Sequence, residues 1–118
     1  LFPGTRMDTM MNNIFMEHQL VLSSYVVEEL KRVVQRKFPG KETAVGKMLL
    51  KMSYEYVYTP EEFDTELFHI RDMKDYPVLY TAIIEDIDIL ITGDKDFSDI
   101  EIDKPEIMTP GEFIEEFL

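Results

Sequence analysis

The run Ile89-Leu90-Ile91, followed at once by Thr92-Gly93-Asp94-Lys95-Asp96-Phe97, constrains this chain more than any other stretch. Large aliphatic and β-branched residues in an uninterrupted short run suit a strand buried in a sheet. The polar segment after it then leaves from that strand's carboxyl end and carries two carboxylates, Asp94 and Asp96. In open α/β sheets the carboxyl ends of strands are where ligands and catalytic groups gather. Paired carboxylates there suit a hard divalent cation, which prefers oxygen ligands. An isolated Asp-x-Asp is more often a plain polar turn, so the remainder of the chain decides its meaning.

That remainder alternates helix and strand signals. Met7, Met10, Met11, Ile14 and Phe15 recur at helical spacing and predict a helix over 6–18. Residues 19–23 form a short apolar strand candidate, with Ser24 expected to cap a helix running to about Phe38. In that helix Val26, Val27, Leu30, Val33 and Val34 share one face, and Pro39-Gly40 ends it. A second, basic helix over 41–52 turns Val45, Met48, Leu49 and Met52 inward. Residues 54–58 (Tyr-Glu-Tyr-Val-Tyr) read as a strand by aromatic and β-branched content, and 60–70 as turn or extended structure. A helix over 77–85, starting near Asp75, leads to the strand at 88–92, and 106–108 is a last strand. Thr109-Pro110-Gly111-Glu112 is a capping-box sequence opening a final helix through Phe117; its Phe113, Ile114, Phe117 and Leu118 are expected to dock on the sheet. Strands separated by helices throughout imply a doubly wound parallel sheet flanked by helices. At 118 residues the chain is expected to form a single domain over 1–118.

Charge is unevenly placed. The first 60 residues hold 8 basic and 6 acidic groups, whereas residues 61–118 hold 4 basic and 18 acidic. Lys31, Arg32, Arg36, Lys37, Lys41, Lys47 and Lys51 form a basic segment that either holds a phosphate backbone or lines solvated helix faces. The acidic half argues against nonspecific binding to nucleic acid or anionic membrane through its own field. Zero cysteines exclude disulfides and thiolate chemistry, which fits a cytoplasmic protein. No apolar run reaches the length of a membrane span. The start, Leu1-Phe2-Pro3-Gly4, lacks an initiator Met and reads like the inside of a loop, so a preceding segment is expected.

Carboxylates stand beside three elements in chain order: Glu29 early in the helix after the first strand, Asp75 at the start of the 77–85 helix, and Asp94 with Asp96 after the 88–92 strand. Each has a plainer role available, as a helix cap for Asp75 or an ion pair with Arg32 or Lys31 for Glu29. Their joint placement favours a metal site. Phosphodiester hydrolysis needs an activated water and neutralised phosphate charge, which a divalent cation supplies. Clustered carboxylates without a cation repel one another, so raised pKa values are expected in the empty site.

The pattern resembles the PIN-domain family over nearly the whole chain. The resemblance rests on Ser24-Tyr-Val-Val-Glu-Glu29-Leu30, on Arg71-Asp72-Met-Lys-Asp75-Tyr-Pro-Val-Leu-Tyr-Thr-Ala82, on Thr92-Gly-Asp94-Lys-Asp96-Phe97, and on the closing Met108-Thr-Pro-Gly-Glu-Phe113. It implies an Mg²⁺- or Mn²⁺-dependent endoribonuclease acting on single-stranded RNA, in a family that includes toxins held by antitoxin proteins. Glu29, Asp75 and Asp94 carry over as metal-binding, catalytic acids, Asp96 as a further acid, and Thr92 or Lys95 as residues that set the turn and contact phosphate. Asp72 matches the helix-opening acid less well than Asp75, and His18 and His69 match no ligand. The family's first strand, central and carrying an Asp, is expected upstream of Leu1; Asp8 is a poor substitute. The chain as given is therefore expected to bind metal weakly and cut poorly. A degenerate PIN-like module that binds RNA or protein without cleavage is the alternative. A Mg²⁺-binding signalling domain ranks lowest, because Asp94 and Lys95 are adjacent instead of lying on separate strands. The Met-rich first helix suggests a homodimer face or, equally, a gap-filling core surface.

Overall fold

The computed structural model describes residues 5–118, so the expectation attached to Leu1-Phe2-Pro3-Gly4 lies outside the described residues. Among the described residues, five α-helices and four short strands form a mixed α/β structure. Contacts divide the chain between Tyr58 and Thr59 into two compact units, each built around a parallel strand pair.

In the first unit the helix α1 spans Thr5–Glu17 and the strand β1 spans Val21–Ser23. Ser23, and not Ser24, caps the next helix, α2 (Ser24–Lys37): its backbone is extended, with φ −86° and ψ 156°, and its hydroxyl accepts from Val26 N at 3.2 Å. The cap falls one residue earlier because only a non-helical residue can turn its side chain back onto the first-turn amides. After α2, Gly40 takes φ 93°, a left-handed turn suited to glycine. Helix α3 (Glu42–Lys51) then returns the chain to strand β2 (Glu55–Val57), which runs parallel to β1 with Leu22 opposite Tyr56. The two helices supply the crossover that parallel strands require. Val27, Val34, Val45 and Leu49 form the core here, with Leu22, Leu30, Met48 and Met52 packed around them. Of the α1 methionines, Met10 is buried, while Met7 and Met16 are exposed.

The second unit opens with turns and bends over 59–72. A 3-10 turn at Met73–Asp75 leads into helix α4 (Tyr76–Ile84). This helix is apolar nearly all round, and a helix of that kind belongs in an interior; Tyr76, Leu79, Tyr80, Thr81 and Ala82 are all buried. It ends with Asp86 at φ 56°, where Asp86 N donates to Ile83 O and Ile87 N to Ala82 O, the paired bonds that close a helix on a left-handed residue. Strand β3 (Ile89–Ile91) pairs in parallel with β4 (Glu106–Met108), Leu90 facing Ile107. Between them lies a second 3-10 turn, Lys95–Phe97. Tyr76, Leu79, Tyr80, Ile70 and Phe97 make the core of this unit, and Phe68 stacks on Tyr76 with ring centroids 4.1 Å apart. Helix α5 (Pro110–Phe117) begins with the capping box anticipated from sequence: Glu112 N bonds Thr109 Oγ1 and Thr109 N bonds Glu112 Oε1. Phe113 alone of its apolar residues is fully buried; Phe117 and Leu118 are exposed, contrary to the expected docking of all four. The two exposed residues end the helix, beyond the turn that packs on β4.

The expected single parallel sheet is seen only at a coarser level. Among the described residues the strands pair two by two, β1 with β2 and β3 with β4.

Candidate metal centre

Two 3-10 turns in the second unit build the site, each closed by an aspartate. Strand β3 ends on Ile91, and the amide of Thr92 just past it still donates to Met108 O at 2.9 Å, continuing the ladder by one bond. Beyond it, side chains take over the backbone donors. The Thr92 hydroxyl accepts from Asp94 N at 3.1 Å, and Asp94 Oδ1 accepts from Asp96 N at 2.9 Å. Threonine and aspartate commonly fold a chain this way, bonding the backbone two residues on. Phe97, buried at 3% exposure, anchors the far end of the turn in the core. Thr92 therefore sets the turn, as its position suggests. Lys95 is exposed and makes no ion pair among the described residues.

The other turn mirrors this chemistry. Asp72 Oδ1 accepts from Lys74 N at 3.0 Å, while Asp75 N donates to Asp72 O at 3.0 Å. Side chains three apart eclipse one another in a 3-10 turn, so the carboxylates of Asp72 and Asp75 come to the same side. Asp75 occupies the capping position of α4 but makes no side-chain cap bond there. Capping, the plainest explanation for this residue, is thus not what its carboxylate does.

One carboxylate oxygen from each of Asp72, Asp75 and Asp96 lies within 4.8 Å of the others. Oxygens around Mg²⁺ at about 2.1 Å stand up to about 4.2 Å apart, so a small side-chain rotation closes the three on one ion. Asp94 stands outside this trio, with one oxygen committed to the turn, yet its charge acts on Asp75. Asp75 Oδ2 is buried and finds no hydrogen-bond donor among the described residues. Burial, then the charges of Asp94, Asp72 and Asp96, push the Asp75 carboxyl up from 3.8 to about 6. Solvated carboxylates crowd many acidic surfaces without a ligand; a buried oxygen with no donor, on a carboxyl grouped with other acids, is less ordinary. This donor set fits a hard divalent cation.

The structure thus brings Asp75, Asp94 and Asp96 together and adds Asp72. The signal for Asp72 was its three-residue spacing from Asp75, which faces both acids one way in a helical turn, most directly in a 3-10 turn. Glu29 belongs to the first unit, where its carboxylate pairs with Arg32 at 2.7 Å. His18 and His69 are exposed and neither joins the acidic group. No helix among the described residues is long and apolar enough to cross a membrane.

No protein-family model matches this chain, and no similar curated protein or solved structure was found.

Proposed function

We propose that this chain is a PIN-type, Mg²⁺- or Mn²⁺-dependent endoribonuclease that cuts single-stranded RNA, acting in the cytoplasm as the toxin of a toxin–antitoxin pair. The observation that carries the metal site is the grouping of Asp75, whose buried Oδ2 has no donor among the described residues, with Asp72 and Asp96. The ribonuclease assignment itself rests on the motif resemblance, as does the proposal of a doubly wound parallel sheet. In support of the latter, each strand is paired on one side only among the described residues, and Ile89–Ile91 is a half-buried aliphatic strand that suits a further neighbour.

In this reading Asp72, Asp75 and Asp96 hold the cation, and Asp94 fixes the turn that presents Asp96. Glu29 is the remaining acid that the resemblance supplies. A bound divalent cation lowers the pKa of a coordinated water and offsets phosphate charge. The acids also repel RNA, so the site accepts a phosphodiester only once their charge is met.

Cleavage of single-stranded RNA with Mn²⁺, Mg²⁺ or EDTA, beside D75N, D94N and E29Q, tests this. Metal-dependent cutting lost in D75N supports the nuclease. Metal binding without cutting favours the second reading, a PIN-like binding module, for which the closed Glu29–Arg32 pair speaks. An absence of metal binding removes the site altogether.

A further inference from the structure

Arg71 stands at the lip of the acidic group, one residue before Asp72. Its Nε lies 3.8 Å from Asp96 Oδ1, and its Nη2 donates to Asp99 Oδ2 at 3.4 Å. Both distances exceed the roughly 2.7–2.9 Å of a well-made charge-assisted bond. Two different nitrogens reach two different carboxylates, so the planar fork is not seated on either one in the paired geometry it prefers. Of the five N–H donors of a guanidinium, only one makes a hydrogen bond among the described residues. The side chain is 70% exposed, and that of Asp99 82%. Arg71 is held there by the field of two acids more than by fitted bonds, and exposed pairs of this kind cost little to exchange.

One of those acids, Asp96, also belongs to the trio whose oxygens lie close enough to hold a cation. When Asp96 turns its charge to a divalent cation, its hold on Arg71 weakens, and the guanidinium becomes available beside the metal. There its fork matches the oxygens of a phosphodiester, a geometry that the flexible ammonium of Lys95 does not offer. We propose that Arg71 is the phosphate-binding residue of this site, resting on Asp96 and Asp99 in the empty site and passing to an RNA phosphate when a divalent cation takes Asp96. This rests on the metal-site reading above.

The test compares the wild-type chain with R71A and R71K. Mn²⁺ binding is measured by calorimetry, and binding of a labelled single-stranded RNA by anisotropy with Mn²⁺ present, read before cleavage, across a salt series. R71A, relieved of a competing cation, is expected to bind Mn²⁺ up to about fivefold more tightly. The same variant is expected to bind RNA about tenfold more weakly, with its log–log salt slope reduced by about 0.7. R71K is expected to keep the slope while losing part of the affinity. If Mn²⁺ binds but R71A matches wild type in RNA affinity and slope, or if no RNA binds, the role of Arg71 is overturned and the metal site stands. If the wild-type chain binds no Mn²⁺, both fall.

Discussion

Asp75 sits where a helix cap would sit and bonds none of the helix's orphan amides. Its cost to the fold depends on pH, because its folded-state pKa of about 6 lies above the ordinary 3.8. The folded chain binds this proton more tightly than the unfolded chain does. The resulting stabilisation is complete below pH 3.8 and is lost as pH rises through 6. D75N removes the ionisable group while keeping its shape. Urea denaturation of both chains without divalent ions is expected to show D75N gaining stability relative to wild type between pH 4 and pH 7.5. Equal differences at the two pH values would refute the shift. Metal binding reverses the balance, since a cation needs the carboxylate ionised. Near pH 5, Mn²⁺ binding is expected to release close to one proton from Asp75, read by calorimetry in two buffers of different ionisation enthalpy.

At the scale of elements, the core of the second unit turns on α4. Leu79 has no exposure at all, so L79A is expected to cost about 2–5 kcal/mol and, through the 3-10 turn joined to the helix, to loosen Asp75 as well. Gly40 and Gly46 of the first unit make a contrasting pair. A Cβ at either Gly40 or Gly46 meets nothing within 4 Å, but Gly40 has φ 93° and Gly46 lies inside α3. G46A is expected to add about 0.5–1 kcal/mol of stability and G40A to remove about 1 kcal/mol, both read by thermal melting. Much of this architecture was legible in the residues. Aliphatic runs marked β1 and β3, the Thr109–Glu112 pairing marked α5, and the valine stripe marked α2. What escaped were features decided by local dihedrals: the cap at Ser23 instead of Ser24, and the 3-10 turn that swings Asp72 alongside Asp75. Sequence spacing cannot separate a 3-10 turn from the first turn of an α-helix until packing chooses. Grouping of Asp75, Asp94 and Asp96 was readable because each closes or follows an element that the pattern had already located.

At the scale of the molecule, charge sets the conditions for everything else. With 18 acids against 4 bases over residues 61–118, self-repulsion opposes the folded state at low ionic strength. Raising NaCl from about 10 to 150 mM shortens the screening length from about 30 to 8 Å and is expected to raise the melting temperature by a few degrees. Millimolar Mn²⁺ at matched ionic strength is expected to raise it further in wild type but not in D75N.

All four described strands are three residues long. A ladder that short offers an incoming backbone only a couple of bonds, too few to hold a stranger arriving at dilute concentration. A strand tethered to the same chain meets the same edge at millimolar effective concentration. Brevity therefore acts as a filter on who can join, discouraging filaments between copies while leaving the ladder open to kin.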